Sequence, residues 1–334
     1  MSPRMRRSAG RRLGVVLVAA AVLLSGCGVR LDDPPPQVPS PGPGEILRQG
    51  AALEAADLQA LAESAGADAG PDGAAGDLAS DLAHIAADAA THLDDLGGVW
   101  TPPPRPTATT DDQPEPSDEP GDEPTGGDPT PSDPATAEDV LAALESSSAD
   151  ARAADPAADA DLATLLASIS INRALWAAEL RTDLGLPTGA DGSADPAAAD
   201  LGIPASLPAS AAPVGRTLDA LGYTQEIIAA RAEGTARTGA AAAAITLREM
   251  AEDVAVATGV DGTDADPRAA AYAVDLEDLQ ATRTGLIAEL LPGWLTAVPD
   301  ADPAVRAPLI ALATQAAFLG QDPDARVATY PGLG

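Results

Sequence analysis

Residues 162–180 read LATLLASISINRALWAAEL. Within them, large or apolar side chains recur at spacings of three and four residues: Leu162, Leu165, Ile169, Asn172, Trp176 and Leu180. That spacing places them on one face of an α-helix, because a helix turns once in 3.6 residues. No alternating apolar and polar run of strand length occurs anywhere in the chain. The pattern therefore predicts an all-α protein.

The same spacing recurs on both sides of this stretch. One stripe comprises Leu78, Leu82, Ile85, Ala89, His92 and Leu96, and another comprises Val214, Leu218, Leu221, Gln225 and Ile228. Further stripes pass through Leu247, Met250 and Val254, and through Leu279, Leu286, Leu290 and Trp294. Helix starts are predicted at Asp155-Pro156, Asp266-Pro267 and Asp302-Pro303, since Asp suits the N-cap and Pro the first helical position. Thr136 and Asp139 have the spacing of a capping box.

Together these signals predict eight helices in two sets of four. The first set covers approximately 45–66, 75–97, 136–153 and 156–184, and the second 213–234, 237–259, 267–291 and 303–320. In each set the longest connection follows the second helix, as in a ferritin-like four-helix bundle. We therefore expect two such bundles, at 45–184 and 213–334, joined by a flexible linker at 185–212. Residues 101–135 hold 11 Pro and nine acids, a composition that predicts a disordered insertion in the first bundle.

The N-terminal 27 residues have the order of a lipoprotein signal peptide. Five Arg precede an apolar run, Leu13 to Leu24, that is too short to span a bilayer. The run ends in Leu24-Ser25-Gly26-Cys27, which resembles the lipobox of bacterial lipoproteins. We expect removal of residues 1–26 and lipidation of Cys27, the chain's only cysteine, with acyl chains such as palmitate. The Pro-rich tether that follows, within residues 27–44, would span ~50 Å if extended as polyproline.

The charge of the mature chain excludes several classes of partner. The sequence has no Lys, and with five of its 19 Arg in the leader, 14 Arg face 51 Asp and Glu. So acidic a surface argues against nucleic-acid binding, which needs clustered basic side chains, and against a polybasic contact with anionic lipid. The expected location is the outer face of the cell membrane, with the lipid anchor on Cys27 as the membrane contact.

Four short motifs stand out in the C-terminal half: Leu221-Gly222-Tyr223, Ile228-Ala229-Ala230-Arg231, Ala270-Ala271-Tyr272-Ala273 and Tyr330-Pro331-Gly332-Leu333. Together they resemble an actinobacterial family of ferritin-like domains of unknown function carried on lipoproteins. Asp94-Asp95-Leu96-Gly97-Gly98-Val99-Trp100 looks like the end of a helix in the N-terminal halves of relatives. The resemblance implies a helical bundle on the cell envelope and supplies no activity.

A ferritin-like di-iron centre requires Glu and Glu-x-x-His ligands that project into the bundle. Residues 213–334 contain no His, and the predicted fourth helix, 303–320, has no Asp or Glu and only Gln315 as a ligand-like group. The remaining carboxylates are expected on a solvated face: Glu226, Glu249, Glu252, Glu277 and Glu289. We therefore predict no metal or other cofactor in this half.

The only two His, His84 and His92, flank Asp88 on the second predicted helix. Such a row could chelate Zn or Cu weakly. However, eight residues rotate a helix by ~80°, so the two imidazoles converge poorly on one ion. His92 also belongs to the apolar stripe, where a core His bonded to an acid is the other interpretation.

No catalytic residues are predicted. Cys27 is expected to be acylated, no Gly-x-Ser-x-Gly elbow occurs, and no glycine-rich phosphate loop lies between a strand and a helix. We therefore expect a non-enzymatic envelope lipoprotein that binds or spaces an envelope protein. The alternatives are a divergent metal-binding ferritin-like protein or oxidoreductase, and a solute receptor for transport. The receptor would need two α/β lobes, for which the sequence shows no strand pattern.

Overall fold

A computed structural model describes residues 40–68, 74–101, 134–186, 202–322 and 325–333. All regular structure in these ranges is helical, and none of it is strand. The α-helices are α1 (Pro43–Asp68), α2 (Ala74–Asp95), α3 (Ala137–Glu145), α4 (Ala149–Ala153), α5 (Ala160–Asp183), α6 (Ala212–Arg231), α7 (Gly234–Ala257), α8 (Leu279–Ala297) and α9 (Pro303–Gly320). A 3-10 turn at Ala209–Ala211 leads into α6. The predicted all-α class is confirmed, and the α/β lobes of a solute receptor do not occur in the described residues.

Helix starts follow the predicted caps in part. The Thr136–Asp139 capping box is present at the start of α3, and Asp302-Pro303 begins α9. The start predicted at Asp155-Pro156 is wrong, because Asp155 accepts a hydrogen bond from the Ala157 N–H in a turn. Instead, α5 begins one turn later with Asp159 as its N-cap. The single helix predicted over 136–153 is divided into α3 and α4 at Ser146–Ser148.

The largest correction concerns residues 258–278, which form an irregular loop between α7 and α8. The predicted helix start at Asp266-Pro267 is wrong, since Asp266 pairs with Arg268 at 2.6 Å. Arg268 also pairs with Asp261 at 2.5 Å. These two contacts hold the loop in a compact turn, and α8 begins only at Leu279, capped by the Asp278 side chain.

The apolar core runs without a break through both predicted helix sets. One cluster of buried side chains includes Ala51 of α1, Leu166 of α5, Leu218 of α6 and Leu309 of α9. The described residues from Gly42 onward accordingly form one compact unit. Part of the predicted linker joins this core, because Leu207 is buried and its N–H donates to the Ala257 carbonyl.

A buried cation helps to join the two sets. Arg306 of α9 is 7 % exposed and donates to the carbonyls of Ala153, Ala158 and Ala301 at 2.9–3.3 Å. Ala153 is the last residue of α4, and the C-terminus of a helix favours positive charge. The guanidinium is thus satisfied by backbone carbonyl oxygens. In the described part of the chain, no helix is both long and apolar enough to cross a membrane.

Candidate functional site

The most concentrated group of buried polar side chains is centred on Asp88. This residue lies on α2 and is 2 % exposed. One carboxylate oxygen accepts from the Trp176 indole at 2.8 Å and from the Asn172 amide at 3.0 Å. The other accepts from the Thr329 hydroxyl at 2.7 Å and from Arg326 at 3.0 Å. Four donors, one of them charged, compensate for the removal of this carboxylate from water.

Two of these donors come from consecutive turns of α5. Asn172 and Trp176 stand at i and i+4, so that both side chains leave the same face of the helix. The other two donors belong to the C-terminal segment, residues 325–333. Asp88 therefore links α2 and α5 to the end of the chain. We call these five side chains the Asp88 network.

The C-terminal segment is held through its backbone as well. The Asn172 amide donates to the Ala328 carbonyl at 2.8 Å, and the Ser168 hydroxyl donates to the Pro331 carbonyl at 3.0 Å. Because irregular backbone has no helical partners, these side-chain donors satisfy carbonyls that would otherwise be buried without hydrogen bonds. An extended segment can consequently lie against the helical core.

His92 contacts the same segment one helical turn beyond Asp88. Its Nε2 lies 2.8 Å from the Thr329 carbonyl oxygen, so Nε2 carries the proton and donates. Its Nδ1 is buried and has no hydrogen-bond partner in the described residues. Burial lowers the pKa of His92 below its usual value, because the charged imidazolium would lose its hydration. His92 is thus a core histidine, 1 % exposed, whose partner is a carbonyl rather than the acid that the sequence suggested.

The row of His84, Asp88 and His92 does not converge on a common point. The His84 ring stacks on Trp176 with centroids 6.3 Å apart, whereas the Nε2 of His92 is directed at the C-terminal segment. The Asp88 oxygens already accept four hydrogen bonds. Across the described residues, no group of three or more His, Cys, Asp and Glu is arranged to hold a metal ion.

A second buried carboxylate, Asp219 of α6, organises the C-terminal half. It is 5 % exposed and accepts from Arg248 of α7 at 2.5 Å and from the Tyr272 hydroxyl at 2.6 Å. Burial and the hydrogen bond to this carboxylate raise the pKa of Tyr272 to about 12. The Tyr223 ring lies 5.9 Å from that of Tyr272, and the Arg248 guanidinium lies 6.0 Å from the Tyr223 ring. Asp219 therefore fastens the 258–278 loop to α6 and α7.

The motifs that carry the family resemblance lie in these packing contacts. Tyr223 and Tyr272 belong to the Asp219 contacts. Tyr330 lies 5.1 Å from the His92 ring and donates to Asp95 at 2.5 Å. At Gly222 a β-carbon would stand 3.0 Å from the Arg248 side chain. The residues of these motifs that we can place contribute to packing and hydrogen bonding within the fold.

The carboxylates considered for a di-iron centre are all exposed: Glu226, Glu249, Glu252, Glu277 and Glu289. Glu226 pairs with Arg248 at 3.2 Å. Gln315 is half-buried on α9. The five carboxylates face solvent, where they raise the negative charge of the surface.

A contact between acidic side chains strongly shifts the pKa of Asp81. Asp81 of α2 lies against Asp183 and Glu179 near the end of α5. Partial burial, a hydrogen bond to Asp183 and the neighbouring negative charges raise the pKa of Asp81 to about 7. Asp81 therefore keeps its proton at a higher pH than an ordinary aspartate does.

One cavity lies between α8, α9 and the C-terminal segment. Its volume is about 300 Å³, at the lower end of the range for ligand pockets. Small and apolar side chains such as Ile287, Leu291 and Ala317 line much of it, and its charged lining residues are Asp322 and Arg326. A second cavity of about 190 Å³ lies beside Tyr272 and Arg216. At the second cavity the Thr217 hydroxyl donates to the Glu289 carboxylate at 3.4 Å, a long hydrogen bond at an exposed position.

The lipidation residue Cys27, the leader and the tether up to residue 39 lie outside the described residues. So do residues 102–133 of the predicted insertion at 101–135 and residues 187–201 of the predicted linker at 185–212. Sequence reasoning missed Asp219, Arg306, Arg326 and Thr329 as buried or bridging groups. The one available signal for the Asp88 network was polar Asn172 within an apolar stripe, because a polar residue at a core position needs a partner. Comparisons with family models, curated proteins and solved structures find no match to this chain.

Proposed function

We propose that this chain is an exported lipoprotein, anchored through Cys27 to the outer face of the cell membrane. Its helical body binds or spaces an envelope protein and has no catalytic role. The observation that carries the proposal is the N-terminal order of a basic region, a 12-residue apolar run and Leu-Ser-Gly-Cys. Export and lipidation require each of these parts for a different step, and all three occur in the correct order and spacing.

The finer architecture belongs to the same proposal. We take helices α1 to α5 and α6 to α9 as two ferritin-like sets of four, with α3 and α4 together standing for one helix. The longest connection of each set follows its second helix, which supports this grouping. The shared core and the hydrogen bonds of Arg306 support packing of the two sets against each other.

The use of the polar groups supports a binding or structural role. Asp88 and Asp219 are buried and accept hydrogen bonds from several donors, so their lone pairs are engaged within the fold. A general base must instead present a free lone pair to a substrate. In this protein the two buried carboxylates connect helices to irregular segments.

The experiment is expression of the full chain with Cys27→Ala, beside a matched Gly26→Ala variant that keeps a small residue at the cleavage position. Unaltered chain and Gly26→Ala should yield mature protein in the membrane fraction, with two or three acyl chains on Cys27 by mass spectrometry. Cys27→Ala should remain uncleaved or unlipidated. A mature N-terminus at Cys27 without lipid in the unaltered chain would refute the anchor.

Elemental analysis tests the proposed non-enzymatic role against the metal-binding alternative. We expect purified protein to contain well under one equivalent of iron, manganese, zinc or copper per chain. One or more equivalents, lost in His92→Gln or Glu226→Gln, would favour the metal-binding alternative instead.

A further inference from the structure

The three tryptophans of the chain differ sharply in exposure. Trp176 and Trp294 are 1 % and 2 % exposed, as expected for large apolar side chains in a core. Trp100 is 55 % exposed, and its neighbour Val99 is 39 % exposed. Both follow the end of α2, where Gly97 and Gly98 turn the chain with φ of 79° and 74°. Because the protein has few aromatic residues, the exposure of one of its three Trp side chains requires an explanation.

Trp100 lies beside an apolar face of α1. Its backbone N–H donates to the Gln49 side chain at 2.8 Å. Ile46, Gln49 and Leu53 are separated by three and four residues and therefore share one face of the helix. Ile46 is 58 % exposed and Leu53 is 49 % exposed. We call Ile46, Leu53, Val99 and Trp100 the tryptophan patch.

Scattered exposed apolar side chains are normal on soluble proteins, but a contiguous group marks an interaction site. The composition of this group points to one kind of partner. Trp has an apolar ring and a polar N–H, and it is enriched where the hydrocarbon of a bilayer meets water. Ile, Leu and Val supply surface that gains free energy in the acyl region.

The position of the patch along the chain supports the same partner. Helix α1 starts at Pro43, three residues before Ile46, and only residues 28–42 separate it from Cys27. Even fully extended, these residues limit the separation between lipid anchor and helix start to about 50 Å. A short tether raises the effective concentration of the patch at the membrane to the millimolar range. A contact with the membrane that is too weak to bind the protein from solution would then form.

The charge of the patch selects the type of lipid surface. Glu45, the acid nearest to Ile46 in sequence, pairs with Arg48 at 2.6 Å and so contributes little net charge there. The protein as a whole is strongly acidic and is repelled by anionic lipid. Neutral and zwitterionic headgroups are therefore the matching surface.

We propose that the tryptophan patch docks on the headgroup–acyl boundary of the leaflet that carries the lipidated Cys27. This inference rests on the proposed lipid anchor and deepens it, because the body would lie against the membrane rather than at the end of an extended tether. Docking orients the rest of the helical body away from the bilayer, where an envelope partner can reach it.

The test uses the mature full chain coupled through Cys27, its single thiol, to a maleimide-headgroup lipid in phosphatidylcholine vesicles. Tryptophan fluorescence is compared in vesicles with ordinary and with brominated acyl chains, since bromine quenches an indole that enters the bilayer. We expect quenching of the exposed component of the emission. Trp100→Phe should remove that component, because Trp176 and Trp294 are buried.

Two surface variants provide the matched comparison. Ile46→Gln with Leu53→Gln should reduce the quenching by roughly half or more, since half of the apolar patch is lost. Ile245→Gln, at a side chain of α7 that is 60 % exposed, should leave the quenching unchanged. Circular dichroism establishes that each variant is folded.

Unchanged emission in brominated vesicles would overturn the inference. It would also be overturned if Trp100 became shielded at high protein concentration without vesicles and Ile46→Gln with Leu53→Gln abolished the shielding, because the partner would then be a second copy. The coupling is chemical, so the outcome does not depend on whether the cell lipidates Cys27. Failure of docking and failure of the anchor are therefore separate results.

Discussion

The indole N–H of Trp176 donates to the buried carboxylate of Asp88 at 2.8 Å, and this bond joins α5 to α2 across the protein core. The same carboxylate holds Thr329 and Arg326 near the chain's end. Residues separated by more than 200 positions thus depend on one side chain. The core and the C-terminal segment are expected to unfold together for this reason.

Replacing Asp88 should be strongly destabilising. In Asp88→Ala, Trp176, Asn172 and Thr329 lose their shared acceptor inside the core, and we expect the free energy of unfolding to fall by about 3 kcal/mol. Arg326→Ala should cost less, about 1 kcal/mol, because Arg326 is largely exposed and only one donor is lost. Urea denaturation measures both. Asp57→Ala, at an exposed acid on α1, is the control, and an equal effect there would contradict the role of the Asp88 network.

His92 should make the protein less stable at acidic pH. Burial lowers its pKa in the folded state below the ordinary histidine value of 6.5. Below that pH the unfolded chain gains a proton that the folded chain resists, so the free energy of unfolding falls as pH decreases from 6.5. His92→Gln, which keeps an amide donor for the Thr329 carbonyl, should lose less stability between pH 7 and pH 5. Equal slopes for the two proteins would contradict this assignment.

Asp81 should give the stability of the protein the opposite dependence on pH. Its pKa of about 7 lies above the ordinary aspartate value of 3.8, so the folded state holds a proton that the unfolded chain releases. The associated stability is present below pH 3.8 and is lost as pH rises through 7. Asp81→Asn should therefore stabilise the protein at pH 8 by on the order of 1 kcal/mol, a figure discounted for solvent screening. The gain should shrink toward pH 4. Thermal unfolding at pH 8 and at pH 4 measures the gain in stability. A gain of the same size at both pH values would contradict the prediction.

Gly332 should not tolerate a side chain. Its φ is +78°, and a β-carbon would lie 2.6 Å from Leu295 and 3.0 Å from Leu291. We expect Gly332→Ala to destabilise the protein by about 2–4 kcal/mol through backbone strain and overpacking together. Gly259 has a similar φ of +73° with no atom in the way. Gly259→Ala therefore isolates the strain, ~1 kcal/mol, and equal losses in the two variants would exclude the steric contribution.

Cleavage within residues 102–133 should leave the protein associated. Helices α1 and α2 share the buried core with α5 through Leu82, Ile85 and Leu166, and the Asp88 network crosses the cut. Two helices alone bury too little apolar surface to remain folded. A protease site inserted in this acidic segment should yield two fragments that co-elute on a sizing column under native conditions. Their separation would place a true domain boundary there.

Local sequence patterns determined the helical content. Apolar spacing identified the faces of α2, α5 and α6, and the Thr136–Asp139 box located the start of α3, because both signals depend only on nearby residues. The pattern was insufficient at 267–278, where it favoured a helix. The loop there is held instead by a contact distant in sequence, between Tyr272 and Asp219, and by the local ion pair of Arg268 with Asp261.

The sequence by itself determined that helices form, which of their faces are apolar, and that the surface is acidic. The tertiary structure decided which polar side chains meet. Asp88 stood between two His in the sequence and could be interpreted as a metal ligand, but α5 and the C-terminal segment supply it with four donors. The exposure of Trp100 beside Gln49 of α1 was likewise decided by packing, because it depends on how α1 and α2 lie together. Helical periodicity is a property of a short segment, whereas the partner of a buried charge is fixed only when distant segments pack.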